Sequence, residues 1–250
     1  MIPTDAPGAA RHGAPPVADE AGVRIRPSGS AEDWQAIREL CCLTGRQGDP
    51  IERERWPLFA ELWVGPYQRL RPEWGYVAEA GGRVVGYLTG CPDSARFLRA
   101  RAVAWTLPLL LRIAIGRYPR NADARRFAGQ RLGLVAEPER RLRRTLPARV
   151  DRDYPAHLHM NVDAEARGKG VGRALLERYA ADLGARGVPG LHLVCGAAAR
   201  PFYQRLGFLD LGALEFRPGV RIFALGRRVG GVPGPGPGPA GRTGTGPGAR

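Results

Sequence analysis

The sequence predicts an α/β domain, a mixed central sheet flanked by helices. Three stretches carry that reading. His157 to Gly172, HLHMNVDAEARGKGVG, alternates like a strand, enters a loop with an arginine and three glycines, and runs straight into the amphipathic ALLERYAADL. Leu191 to Phe208 reads as a short buried strand, a break at Gly196, a short helix and then Leu-Gly-Phe. The two stretches follow each other with the spacing of a βαβ unit. Trp74–Ala78 and Arg83–Thr89 form a strand pair joined by a Gly81-Gly82 turn.

The remaining elements follow in order. Val23–Pro27 alternates apolar residues with arginine, as a first strand does. Ala31–Leu43 places Trp34, Ile37, Leu40 and Leu43 at helical spacing behind Ser30, a good N-cap. Ile51–Trp63 is a second helical stretch. Residues 94–150 read as irregular, with one apolar helix near Val103–Ile115. Pro201 fits a helix only in its first turn, so the last helix is expected to start near Ala199. Val220–Leu225 is a final strand.

Composition sets the frame. The chain has 250 residues, 44% hydrophobic and 25% charged, enough for one sizeable core. Residues 1–22 and 229–250, rich in Ala, Pro and Gly, are expected to be disordered tails around a domain spanning 23–228. There is no signal-peptide core, and the apolar run Ala102–Ile115 is too short to span a bilayer. Cys41, Cys42, Cys91 and Cys195 lack metal-knuckle spacing and read as reduced, mostly buried thiols, so a cytoplasmic protein without a metal is expected. Cys195 reads as a core thiol at a strand end rather than a nucleophile.

The net charge is +14, and Lys169 is the only lysine. Between Arg96 and Arg149 the acids are Asp123, Glu137 and Glu139, and Arg140, Arg141, Arg143 and Arg144 form the densest basic cluster. Such a segment suits nucleic acid or an acidic partner. No aromatic interleaves the cluster, so a solvated face is the preferred reading.

The glycine loop carries the chemistry. Glycines at a helix start leave backbone N–H groups open to an anion, most often a phosphate or pyrophosphate. The dinucleotide pattern fails because Arg173 stands where its third glycine belongs. The P-loop pattern fails because Gly170, not Ser or Thr, follows Lys169. A ligand-free glycine turn is the competing reading of this loop alone. What remains is Arg167-x-x-Gly170-x-Gly172 between strand and helix, and this resembles the acyl-CoA signature of the GNAT acetyltransferases. Ala199, Phe202, Tyr203, Leu206, Gly207 and Phe208 match the family's second motif, with Gly196 in place of its asparagine. The resemblance implies the GNAT acyl-CoA N-acyltransferase fold, here with a long insertion, 94–150, between the third and fourth strands. Within the family, the insertion and the runs Gly65-Pro66-Tyr67, GYLTGCPD, Trp105…Arg117-Tyr118-Pro119 and Tyr154 to His159 are similar to the acetyltransferase-like domain associated with O-GlcNAcase and its stand-alone bacterial relatives.

The resemblance also implies roles. Acetyl-CoA is the expected co-substrate, held by Asn161 and Val162 along its arm and by Arg167, Gly168, Lys169, Gly170, Val171, Gly172 and Arg173 at its pyrophosphate. Two strands splay there to free an N–H for the thioester oxygen. Tyr203 is the expected acid for the leaving thiolate; packing beside Phe202 is its alternative role. His157 and His159 share one strand face, and His159 and Asp93 are the candidate bases, with Asp153 a further carboxylate. The expected acceptor is a small-molecule or protein amine. No membrane partner is expected, nucleic acid is disfavoured, and a homodimer is left open. Two other classes remain: a degenerate domain that binds acyl-CoA or a partner without turnover, and a basic nucleic-acid binder.

Overall fold

The computed structural model describes residues 17–18, 22–46, 48–134 and 137–230. Most of both expected tails lies outside these residues. Val17–Ala18, from the N-terminal stretch, forms a two-residue strand β1 on the edge of β2 (Arg24–Pro27), held by backbone pairing that needs no particular side chain. The other strands are β3 (Gly75–Ala80), β4 (Arg83–Cys91), β5 (Ala156–Val162), β6 (Gly190–Gly196), β7 (Leu209–Arg217) and β8 (Val220–Arg228). They form one mixed sheet in the order β1-β2-β3-β4-β5-β6-β8-β7. Only β5 and β6 are parallel. Setting β1 aside, the sheet is mixed as expected, with helices on both faces, and has seven strands where the sequence reading gave six.

Helix α1 (Ala31–Leu43) starts where its cap predicts. The Ser30 side chain accepts from Asp33 N–H, and Asp33 reaches back to Ser30 N–H in a capping box. Arg26 grips the same Asp33 with two bonds of 2.7 Å and holds its carboxyl down to about 2. Its buried Trp34, Ile37, Leu40 and Cys41 pack on Val77 and Tyr87 of the sheet. The second helical stretch, expected over Ile51–Trp63, is a 3-10 turn (Arg53–Arg55) leading into α2 (Trp56–Trp63), and a further helix, α3 (Gly65–Leu70), follows with Pro66 in its first turn.

The opposite face carries α9 (Val171–Ala185). Val171, Leu175, Tyr179 and Leu183 recur every fourth residue and are buried against β4 and β5. A Cβ at Gly90 would come within 2.5 Å of the Tyr179 hydroxyl, so glycine there is what lets α9 lie close. Tyr179 in turn reaches the backbone carbonyls of Cys91 (2.9 Å) and His157 (2.8 Å).

Two expectations are corrected. The 94–150 segment is mainly helical: α4 (Ser94–Arg101), a π turn (Ala102–Thr106), α5 (Leu107–Ala114), α6 (Ala122–Arg131), α7 (Pro138–Thr145) and α8 (Arg149–Asp153). Arginine and alanine are good helix formers, but dense arginine hides the apolar period. Asp93 and Asn121 supply the caps of α4 and α6. The second correction is β7, unread in the sequence. It is an edge strand whose alternation is interrupted by shifts at Asp210/Gly212 and Glu215/Arg217. The last helix, α10 (Arg200–Arg205), begins after Ala199 as Pro201 requires.

The insertion is fastened at two ends. Trp105, Leu109 and Phe127 bury against Leu58 of α2, and Arg55 holds Asp123 by two bonds of 2.7 and 2.9 Å. Further along, α7 lies on β7, where a Cβ at Gly212 would come within 2.6 Å of Leu146. Leu109 is 1% exposed. Leu109→Ala is expected to cost about 2–5 kcal/mol through the cavity it leaves. A thermal melt should show the drop, with CoA affinity retained because the glycine loop is remote from this anchor.

Candidate active site

Strands β5 and β6 pair only at Ala156↔Leu191 and His157↔His192 and then part. Asp163 N–H donates to Val85 O at 2.9 Å, so by antiparallel alternation the odd residues of β5 bond to β4. Asn161 therefore directs its backbone to β4, and its side chain donates to the Tyr87 hydroxyl at 2.9 Å. Val162 and Met160 direct theirs into the gap. Met160 was not read from the sequence, where the motif shows spacing but not which edge of a strand stands open.

The gap ends at the glycine loop. Gly168 (φ 76°) and Gly170 (φ 82°) adopt left-handed backbone, and a Cβ on either would meet nothing within 4 Å. The loop surface is thus bare and open. Gly170 is the cap residue of α9 and no side chain caps the helix, so its first-turn N–H groups face outward. Lys169 and Arg173 are exposed beside it, without an ion pair among the described residues. Arg167 serves differently from what its place in the motif suggests. It donates to Val162 O (3.1 Å) and Gly48 O (2.9 Å), bracing the loop rather than pointing into the open surface. Val171 is core, and Gly172 admits Phe202, whose ring would lie 3.0 Å from a Cβ there. These features fit a pyrophosphate: a bare turn, a helix N-terminus and two unpaired cations.

Tyr203 sits where the gap opens, between Cys195 at the end of β6 and Phe208. It is 8% exposed, and no described residue hydrogen-bonds its hydroxyl. Burial, with the Cys195 thiol nearby, raises its pKa, so the phenol keeps its proton. Burial likewise pushes Cys195 up to about 11, which argues against a thiolate nucleophile.

Across the sheet, on the α1–α4 face, β5 presents His157 and His159. His157 is engaged, with Nδ1 2.7 Å from Ser94 Oγ and 3.1 Å from Cys91 Sγ. His159 has Nδ1 3.3 Å from the Tyr87 hydroxyl, while its ring stacks on Trp63 at 5.4 Å. Burial pushes it down to about 4, so it is neutral near pH 7. Asp93 is occupied as the α4 cap, accepting from Arg96 N–H at 2.9 Å. Asp153 pairs with Arg228 at 3.4 Å.

Trp63 and Glu139 were not singled out in the sequence, and Tyr67 was noted only within the Gly65-Pro66-Tyr67 run. Trp63 is 43% exposed on the wall formed with His159. Tyr67 stacks on Phe97 at 4.9 Å and meets His157 edge-on. Glu139 shares the inward face of α7 with buried Leu142, three residues on, and acts electrostatically with Tyr67 and Arg101. It is accessible, yet desolvation and Glu137 raise its pKa. The Arg140 cluster lies on α7, where Arg143 is tied to Asp151 at 2.7 Å, beside a surface hollow of about 350 Å³ away from the gap. Among the described residues no cluster of His, Cys, Asp and Glu could hold a metal ion, and no helix is long and apolar enough to cross a membrane.

The three half-buried histidines predict acid lability. His157, His159 and His192 are all held below the ordinary value, chiefly by burial. The unfolded chain takes up protons below about pH 6.5 that the folded chain refuses. Stability is therefore full above that pH and falls as the pH drops toward 4. A decline in melting temperature between pH 6.5 and 4.5 is expected, on the order of a few kcal/mol in all. His159→Gln should flatten part of that slope in a pH series of melts. Asp33 contributes only in the lower window, from about pH 4 down to about 2.

A parallel strand pair that splits open ahead of an uncapped helix leaves a cleft with room for an extended arm and a helix end suited to an anion. Residues 131–209 match the family described as acetyltransferase (GNAT) domain. The crystal structure of SsHAT is 32% identical, covers 83% of this chain and 98% of its own, and superposes with a TM-score of 0.63. A protein described as a GNAT-family acetyltransferase from Desulfovibrio desulfuricans shares the fold at 17% identity, covering 83% of this chain and 99% of its own, with a TM-score of 0.50. The chain belongs to the GNAT acetyltransferase family.

Proposed function

We propose that this chain is an N-acetyltransferase that takes its acetyl group from acetyl-CoA and delivers it to an amine. The observation that carries the reading is the parting of β5 and β6 directly ahead of the bare N-terminus of α9. When bound, acetyl-CoA supplies a thioester carbonyl at which a neutral amine forms an amide as the thiolate leaves. The N–H groups opening α9, with Lys169 and Arg173, hold the pyrophosphate. The backbone of Val162 and Met160 lines the arm, and one N–H at the split serves the thioester oxygen. Tyr203, protonated by virtue of its burial, is the acid for the thiolate.

On the acceptor side, His159 is neutral and accessible enough to take a proton from the incoming amine. His157 holds the start of α4 against β5. Asp93 acts through its cap, which sets the angle at which α4 leaves the cleft. Trp63 and Tyr67 form the walls, and Phe97 of the insertion stacks on Tyr67 and meets His157, so the insertion reaches the acceptor side. The similarity to the O-GlcNAcase-associated branch fits this arrangement, because segments it rests on meet there: Tyr67 and Cys91 both contact His157 of the Tyr154–His159 run. Four free cysteines suit a cytoplasmic setting.

The test is thiol release from acetyl-CoA across a panel of aryl, sugar, polyamine and peptide amines, run beside CoA calorimetry. Turnover with one class, lowered by Trp63→Ala with CoA affinity unchanged, supports the reading. CoA binding without turnover on any amine favours a binding module. Absence of CoA binding overturns the reading.

A further inference from the structure

The insertion exposes an apolar surface that the acetyl-transfer reading does not use. Helices α4 and α5 and the π turn between them run as one continuous helix, Ser94–Ala114, since the backbone stays right-handed helical at Arg101, Ala102, Thr106 and Leu107. One side is anchored through Trp105 and Leu109. Another side leaves Val103 (68% exposed), Leu107 (60%), Leu111 (63%) and Ile115 (69%) in water. Four-residue steps drift around a regular α-helix, and the wider π turn at Ala102–Thr106 offsets part of that drift, keeping the residues in a stripe. Leu132 (70%) and Leu134 (78%), which follow α6, are also exposed. So many large aliphatic side chains facing water mark a contact surface.

The charge around the stripe narrows the occupant. Arg99, Arg112, Arg117 and Arg120 are exposed on this helix and its exit. From residue 94 to 134 the only acid is Asp123, and Arg55 already holds it. Nucleic acid rewards arginine but gives nothing for leucine and isoleucine. A second copy would bury the aliphatic stripe but set arginine against arginine. An anionic lipid surface rewards both, since aliphatic side chains enter the acyl boundary and arginines meet headgroup phosphates. We propose that the exposed face of the Ser94–Ala114 helix and its exit through Ile115 is a peripheral docking surface for anionic membrane. This revises the expectation of no membrane partner, which followed only from the lack of a spanning segment. Lying on a bilayer needs one amphipathic face, not a span. The inference does not depend on the acetyltransferase reading.

The test is co-sedimentation of the full chain with phosphatidylcholine vesicles, with and without phosphatidylglycerol. The chain is expected to pellet with the anionic vesicles and to bind neutral ones at least about tenfold more weakly. The surface variant Leu107→Ser/Leu111→Ser/Ile115→Ser should also lose about tenfold, while keeping its melting temperature and CoA affinity. Arg99→Ser/Arg112→Ser/Arg117→Ser should lose a similar amount, and added salt should weaken wild type but not that variant. Equal binding by wild type and the apolar variant would overturn the proposal, as would no binding to either vesicle. So would a dimer in analytical ultracentrifugation that the apolar variant abolishes while lipid binding persists, or a gel shift with nucleic acid in place of vesicle binding.

Discussion

Tyr203→Phe is expected to lower kcat by about a hundredfold or more, with CoA affinity held within about twofold. The phenol is 8% exposed, and its ring packs against Phe202 and Phe208 at centroid distances of 5.0 and 5.5 Å. Phenylalanine keeps that packing and removes one oxygen that no described residue hydrogen-bonds, so the fold has little to lose. What disappears is a proton that burial keeps on the phenol. Steady-state rates on the best acceptor, beside calorimetry with CoA, separate the two quantities. An unchanged kcat would reassign Tyr203 to packing alone.

Gly170→Asp is expected to weaken CoA binding by about a hundredfold or more, through a fixed negative charge at a helix end that otherwise attracts anions. The open space above Gly170 means no clash accompanies the change. Its φ of 82° still imposes strain of about 1 kcal/mol on any L side chain, though Asp and Asn bear it best. Gly170→Asn therefore serves as the control: similar shape, similar strain, no charge. Binding lost in Asp but largely kept in Asn assigns the effect to the anion site, whereas equal loss in both assigns it to backbone strain. Gly172→Glu is a poorer probe, because its Cβ already presses on Phe202.

Much of this molecule was readable before any coordinates. The helix Ala31–Leu43, the β3–β4 hairpin and the strand–glycine loop–helix unit depend on near neighbours. A capping serine, a Gly-Gly turn and a proline-limited helix start act within a turn or two, so short spacing suffices to specify them. The glycine loop was legible for the same reason, since its glycines, its lysine and the helix it opens are contiguous.

The tertiary structure decided everything that depends on elements distant in sequence. It turned an apparently irregular, arginine-rich segment into five helices, because their apolar anchors, Trp105, Leu109 and Phe127, become visible only against Leu58 of another helix. It separated the two histidines, which spacing places on one face, by giving His157 the partners Ser94 and Cys91 and leaving His159 to the Trp63 wall. It tied the Arg167 side chain to the loop backbone by bringing Gly48 alongside. And it left Val103, Leu107, Leu111 and Ile115 in water, where an apolar run alone suggests burial. Sequence specifies which residues can pack, through local propensity and period. Which of them find a partner is settled by long-range contacts between elements, and these have no signature in any single stretch of chain.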